Sequence, residues 1–119
     1  MKQLIWLFLL LSSLHADDFG SLLFHGNCVT CHYELEDKSA PAMLHVRERY
    51  LRAFPKKEDF VAYMSQWVLR PNEQTSIMQD AIAKYELMPQ LAFEKDVLEE
   101  IAAYIYETDF RKVHKNHNY

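Results

Sequence analysis

The sequence contains no apolar run long enough to cross a membrane. Residues 4–11 form a short apolar stretch, well below the roughly 20 residues that a membrane-spanning helix needs. A lysine precedes this stretch, and the small residue Ala16 and two aspartates follow it, an order typical of a cleaved export signal. We therefore predict a signal peptide over residues 1–16 and one domain over residues 17–119, with an uncleaved anchor as the alternative.

Positive charge is also scarce. The chain has 13 Lys and Arg residues against 17 Asp and Glu residues, which gives a net charge of −4 at pH 7. Affinity for nucleic acid depends on positive charges that neutralise phosphates. The composition therefore argues against nucleic-acid binding as the function.

Cysteine is limited to two residues, Cys28 and Cys31, which lie three positions apart. A disulfide between them would close a very small ring and would constrain little of the unfolded chain. A fold stabilised by disulfides is therefore not expected. The pair requires a chemical explanation instead.

Glycine is limited to two residues, and the alternation of apolar and polar residues that favours strands is scarce. Apolar residues recur with helical spacing, most clearly at Phe60, Val61, Met64, Trp67 and Val68. We predict an all-α domain of four or five short helices: from Asp17 towards Gly26, from Met43 to Phe54, between Pro55 and Pro71, from Asn72 through Tyr85, and from about Glu94 through Ile105. The tail from Arg111 to Tyr119 is expected to fray.

The segment Cys28-Val29-Thr30-Cys31-His32 has the C-x-x-C-H spacing of c-type haem attachment. Two thiols three residues apart on a helical turn can reach the two vinyl groups of one porphyrin and form thioether bonds. The next residue then projects its imidazole over the ring centre, where it binds iron. We predict one covalently attached haem c per chain, held by Cys28 and Cys31, with His32 as an axial iron ligand.

Two other interpretations of this segment have less support. A thioredoxin-like pair would require a βαβ context, which the helical spacing does not predict. A zinc site would need His25, Cys28, Cys31 and His32, and four ligands within eight residues are hard to arrange tetrahedrally.

Gly20 and Phe24 lie four residues apart on the first predicted helix, and Ile101 and Tyr104 lie on the last. Together with the haem motif, these residues resemble small bacterial class I cytochromes c, which carry a single haem. The resemblance covers the whole of residues 17–119. It implies the cytochrome c fold, in which the first and last helices pack against each other.

Pro41 follows His32 by nine residues, and Met88 precedes Pro89 in the predicted loop before the last helix. The resemblance implies that the Pro41 carbonyl accepts a hydrogen bond from the ligand imidazole, which makes the imidazole a stronger donor to metal. It also implies Met88 as the second axial ligand. Met78 is the competing sulfur, but we predict that it lies inside a helix, whereas a loop can aim the Met88 sulfur at iron.

Haem propionates need hydrogen-bond donors, because burying carboxylates without partners is costly. The candidate donors in the haem pocket are Trp67, Tyr50, Arg47 and Arg49. The histidines His25 and His45 are expected to be exposed on helices.

Iron with both a histidine and a methionine ligand has no open position for a substrate, and the soft sulfur favours the ferrous state. We therefore predict a periplasmic electron carrier that exchanges electrons with redox partner proteins and is not an enzyme. Two alternatives stay open. One is a five-coordinate haem protein that binds or senses a gas, and the other is a haem subunit of a larger oxidase or reductase.

Overall fold

The computed structural model describes residues 16–115, and this part of the chain contains helices and no strand. The six α-helices are α1 (Ala16–Asn27), α2 (Met43–Ala53), α3 (Lys57–Leu69), α4 (Gln79–Tyr85), α5 (Lys95–Glu107) and α6 (Phe110–Lys115). The predicted all-α class is confirmed, but the described residues form six α-helices and not the predicted four or five, because α6 forms where a frayed tail was expected. Apart from Ala16, the predicted signal peptide lies outside the described residues. Within residues 16–115, no helix combines the length and the apolar character needed to cross a membrane.

The core lies between α3 and α5, with α1 packed across α5. Helix α5 buries its residues at the spacing of an amphipathic helix: Leu98, Ile101, Ala102 and Ile105. Helix α3 contributes Phe60 and Met64 to the same cluster. Full burial of an aliphatic or aromatic side chain adds about 1.5–3 kcal/mol to the free energy of unfolding. The buried residues of α3 and α5 therefore stabilise the bundle.

Helices α1 and α5 approach each other closely at Gly20. A Cβ atom at this position would lie 2.9 Å from Cβ of Tyr104 and 3.1 Å from the carbonyl oxygen of Glu100. One turn further along α1, Phe24 is fully buried, and its ring centroid lies 5.2 Å from that of Tyr104. The expected contact between the first helix and the last long helix is therefore present, and it requires glycine at the crossing.

Substituting Gly20→Ala should destabilise the protein by about 1–3 kcal/mol, because the added methyl group has no space between α1 and α5. Gly26→Ala is the matched control on the same helix, since a Cβ atom at Gly26 would have no described atom within 4 Å. This control should leave stability unchanged or raise it by up to about 1 kcal/mol, from helix propensity. Denaturant unfolding of both variants measures the difference, and equal effects would contradict the close approach.

The predicted helix from Asn72 through Tyr85 is wrong in its first half. The Asn72 side chain accepts a hydrogen bond from the Gln74 amide at 2.8 Å and caps only a 3-10 turn over Glu73–Thr75. Ser76 is then extended, and α4 begins at Gln79. Met78 therefore lies before the helix, not inside it.

The expectation of a frayed tail is also wrong for residues 111–115, which belong to α6. Phe110 is fully buried, and its ring lies 5.5 Å from that of Phe24. Arg111 pairs with Glu48 at 2.8 Å, and His114 pairs with Glu34. These distant contacts hold α6 on the bundle; residues 116–119 lie outside the described part.

Candidate functional site

The C-x-x-C-H segment, residues 28–32, forms a helical turn that directly continues α1. The Cys28 amide donates to the Phe24 carbonyl at 2.9 Å, and the His32 amide donates to the Cys28 carbonyl at 2.9 Å. These are hydrogen bonds between residues four apart, as in an α-helix. The backbone therefore has the helical turn that the C-x-x-C-H spacing predicts.

Both cysteines of this turn are free thiols in different environments. Cys28 is half-buried and packs against the apolar core, whereas Cys31 is exposed. Burial raises the pKa of the Cys28 thiol to about 11. A nucleophilic or redox-active cysteine normally has a lowered pKa, so Cys28 does not fit a thioredoxin-like role.

His32 is held by one hydrogen bond of known direction. Its Nδ1 lies 2.8 Å from the Pro41 carbonyl oxygen, and a carbonyl can only accept, so Nδ1 carries the proton. Burial lowers the pKa of His32, and the hydrogen bond to Pro41 partly offsets this effect. The imidazole is therefore neutral at pH 7, with the lone pair on Nε2, which is the form that binds metal.

Pro41 is held in place by the loop that precedes α2. The first two amides of α2 donate to the carbonyls of Tyr33 and Glu34, at 2.8 and 2.9 Å. The Ala42 amide donates to the Asp37 carboxylate at 2.6 Å. These bonds supply partners for the amides at the start of α2, which lack partners within the helix, and they hold the Pro41 carbonyl opposite the imidazole.

The two candidate methionines differ in position. Met78 is buried, and it lines a cleft of about 270 Å³ together with Pro41. Met88 is half-buried in the connection between α4 and α5. Two residues before it, Glu86 ends α4 with φ 70° and ψ 176°. A non-glycine residue in this region costs about 1–3 kcal/mol, and such strained residues occur often at functional sites.

Three of the four candidate propionate donors already have partners within the chain. The Trp67 indole donates to the Asn72 carbonyl at 3.1 Å. Arg47 donates to two carbonyls at the end of α5, at 2.8 and 2.9 Å. Arg49 donates to both carboxylate oxygens of Asp80 at 3.0 Å. The fourth, Tyr50, is buried in the core, and this burial raises its pKa.

Three histidines outside the motif lie within the described residues, and each is on the surface beside a carboxylate. His25 and His114 flank the Glu34 carboxylate, and His45 lies 3.0 Å from Asp37. Within residues 16–115, no group of three or more His, Cys, Asp or Glu side chains is arranged to hold a metal ion.

Sequence reasoning missed Glu34 and Asp37. The sequence contained one indication of the role of Asp37, because an aspartate near the start of a helix often accepts hydrogen bonds from the first amides of that helix. No local pattern indicated Glu34, because its histidine partners His25 and His114 lie 9 and 80 residues away in the sequence.

In comparisons with known proteins, no protein family matches the chain, no curated protein matches it and no solved structure matches it.

Proposed function

We propose that this protein is a class I c-type cytochrome, a periplasmic electron carrier with one covalently attached haem. The observation that carries the proposal is the hydrogen bond between His32 and Pro41. Nδ1 of His32 donates to the Pro41 carbonyl, which leaves the Nε2 lone pair for iron. This imidazole follows directly after two free thiols on the same turn.

The donor set fits a c-type haem. Addition to a vinyl group needs a cysteine that is not in a disulfide, and Cys28 and Cys31 meet this condition. Neutral imidazole is a suitable iron ligand, and burial keeps His32 neutral at pH 7. Cys28, Cys31 and His32 would hold the group, which when bound supplies a one-electron ferric–ferrous couple.

Met88 is the proposed second iron ligand. It is half-buried in the connection between α4 and α5, where a loop that contains Pro89 could direct its sulfur towards iron. Met78 lies before α4 and not inside it, so the argument from the sequence against Met78 does not hold. Its burial in the core cluster favours a packing role instead.

The helix packing supports the cytochrome c fold within the all-α class. The resemblance implies that the first and last helices cross at a glycine and pair an aromatic residue on each. Gly20 lies against Tyr104, and Phe24 lies beside the same ring. With His32 and Met88 both bound to iron, no position would remain for a substrate, which favours electron transfer over catalysis.

Absorption spectra of the protein exported from cells that attach haem to C-x-x-C-H sequences test the proposal. The oxidised and reduced spectra should be those of low-spin iron with six ligands, and the haem should stay with the chain in acidified organic solvent. A high-spin spectrum with ready binding of carbon monoxide would favour the gas-binding alternative. A purified protein without haem would refute the proposal.

The second alternative, a haem subunit of a larger oxidase or reductase, differs from a free carrier in the molecular size of the species that is purified. A free carrier should elute at the size of one chain in size-exclusion chromatography. A dedicated subunit should be recovered in a stoichiometric complex with its larger partner.

A further inference from the structure

The peptide group between Pro41 and Ala42 is hydrogen-bonded at both of its ends. Its carbonyl oxygen accepts from Nδ1 of His32 at 2.8 Å, and its N–H donates to Oδ1 of Asp37 at 2.6 Å. The C–N bond of a peptide is conjugated, so the two hydrogen bonds polarise each other. Asp37 is thereby connected to the imidazole through one planar group.

Asp37 carries a negative charge at neutral pH. The hydrogen bond from the Ala42 amide lowers the pKa of its carboxyl, and the bond from His45 lowers it further. His45 Nδ1 lies 3.0 Å from the same carboxylate oxygen, and the Lys84 ammonium adds a weaker favourable charge. The Ala42 amide thus points at an ionised acceptor, and charge-assisted hydrogen bonds of this kind are the stronger ones.

This charge has a direct consequence for His32. A carboxylate that attracts the Ala42 proton increases the electron density on the Pro41 oxygen, which then becomes a better acceptor for the Nδ1 proton. A stronger bond at Nδ1 makes Nε2 a stronger donor to a metal. Stronger donation by the imidazole favours ferric over ferrous iron and lowers the reduction potential.

We propose that Asp37 is a positioning residue that sets the donor strength of His32 through the Pro41–Ala42 peptide and thereby lowers the midpoint potential of the haem. This inference rests on the proposed function. The simpler role for Asp37 is to satisfy an amide at the start of α2, and that role predicts an effect on stability without a specific effect on the potential.

The test compares Asp37→Asn with Glu36→Gln in the full-length, haem-loaded protein. Both substitutions remove one carboxylate charge from neighbouring positions. Glu36 is 72% exposed and pairs with Lys38. The midpoint potential of each variant is measured by spectroelectrochemical titration. We expect Asp37→Asn to raise the equilibrium constant for reduction about tenfold, which is 59 mV for a one-electron couple, and Glu36→Gln to change it less than about threefold.

A second variant, His45→Ala, should shift the midpoint potential in the opposite direction, and alanine is compatible with helix α2. His45→Ala removes the competing donor from Oδ1 of Asp37, which leaves more of the carboxylate charge for the Ala42 amide. The potential should therefore fall below that of the wild type. If Asp37→Asn does not fold, His45→Ala alone tests the inference. An unchanged midpoint potential in His45→Ala would then overturn it.

Nuclear magnetic resonance of the reduced, nitrogen-15-labelled protein gives a readout independent of the potential. The Ala42 amide proton and the His32 Nδ1 proton should both move upfield in Asp37→Asn, because both hydrogen bonds weaken. In Glu36→Gln both should stay in place. A change in the chemical shift of the Ala42 proton alone would overturn the inference that Asp37 acts on His32 through the Pro41–Ala42 peptide.

The outcomes also separate this inference from the proposed function. If the wild type carries no covalent haem, the proposed function fails and this inference fails with it. If the haem is attached but Asp37→Asn and Glu36→Gln shift the potential equally, only the role of Asp37 is refuted.

Discussion

Replacing Met88 with Ala should abolish the sulfur-to-iron charge-transfer band of the oxidised protein. It should also lower the midpoint potential, because a harder ligand such as water replaces the thioether that favours ferrous iron. The vacated position should then bind carbon monoxide or cyanide readily. Absorption spectra, redox titration and ligand titration of the variant measure the three effects.

Met78→Ala is the matched control. Met78 is 8% exposed and belongs to the core cluster, so its truncation should cost about 2–5 kcal/mol of stability and leave the charge-transfer band in place. If Met78→Ala abolishes the charge-transfer band and Met88→Ala does not, Met78 is the ligand despite its place in the core cluster. If neither alters the spectrum, the iron has no methionine ligand, and the gas-binding alternative becomes the better explanation.

Replacing both Cys28 and Cys31 with Ala should give a protein from which all haem is extracted by acidified organic solvent. The wild type should keep its haem, since two thioether bonds survive conditions that break iron–ligand bonds. Thr30→Ala is the control, because Thr30 is exposed and lies between the two cysteines. It should retain haem as the wild type does.

Alkylation of the unfolded protein provides a second readout for the same bonds. Sulfurs in thioether linkages should not react, so the wild type should take up no label. Each single cysteine variant should keep one thioether bond and again take up no label. If the wild type is labelled at Cys28 and Cys31, or loses its haem as readily as the double variant, covalent attachment is refuted.

Much of the fold follows from local patterns in the sequence. The prolines Pro55 and Pro71 bracket α3 because neither can continue a helix in its interior, and the observed helix runs over Lys57–Leu69. The apolar spacing of α5 likewise predicts its buried face. In both cases the pattern that predicts the helix involves residues at most four positions apart. A short stretch of the sequence is therefore enough to predict it.

Two segments could not be predicted in this way. Residues 72–78 contain a good cap in Asn72, yet α4 begins only at Gln79. Ser76 is extended, and its hydroxyl accepts a hydrogen bond from the Met78 amide at 3.0 Å. Helix α6 is short and polar, and an isolated helix of this length is marginal in water. It forms because Phe110 is buried beside Phe24 and because Glu34 holds His114.

The sequence alone determined the helical class and the residues of the candidate site, because the spacing of Cys28, Cys31 and His32 is local and is preserved in a single helical turn. The hydrogen bond between His32 and the Pro41 carbonyl, which the resemblance implied, is present. The tertiary structure alone decided the next partner along this chain of contacts, since Asp37 meets the Ala42 amide only after the loop over residues 33–42 has closed. That bond depends on the path of the loop, and no residue spacing specifies the path.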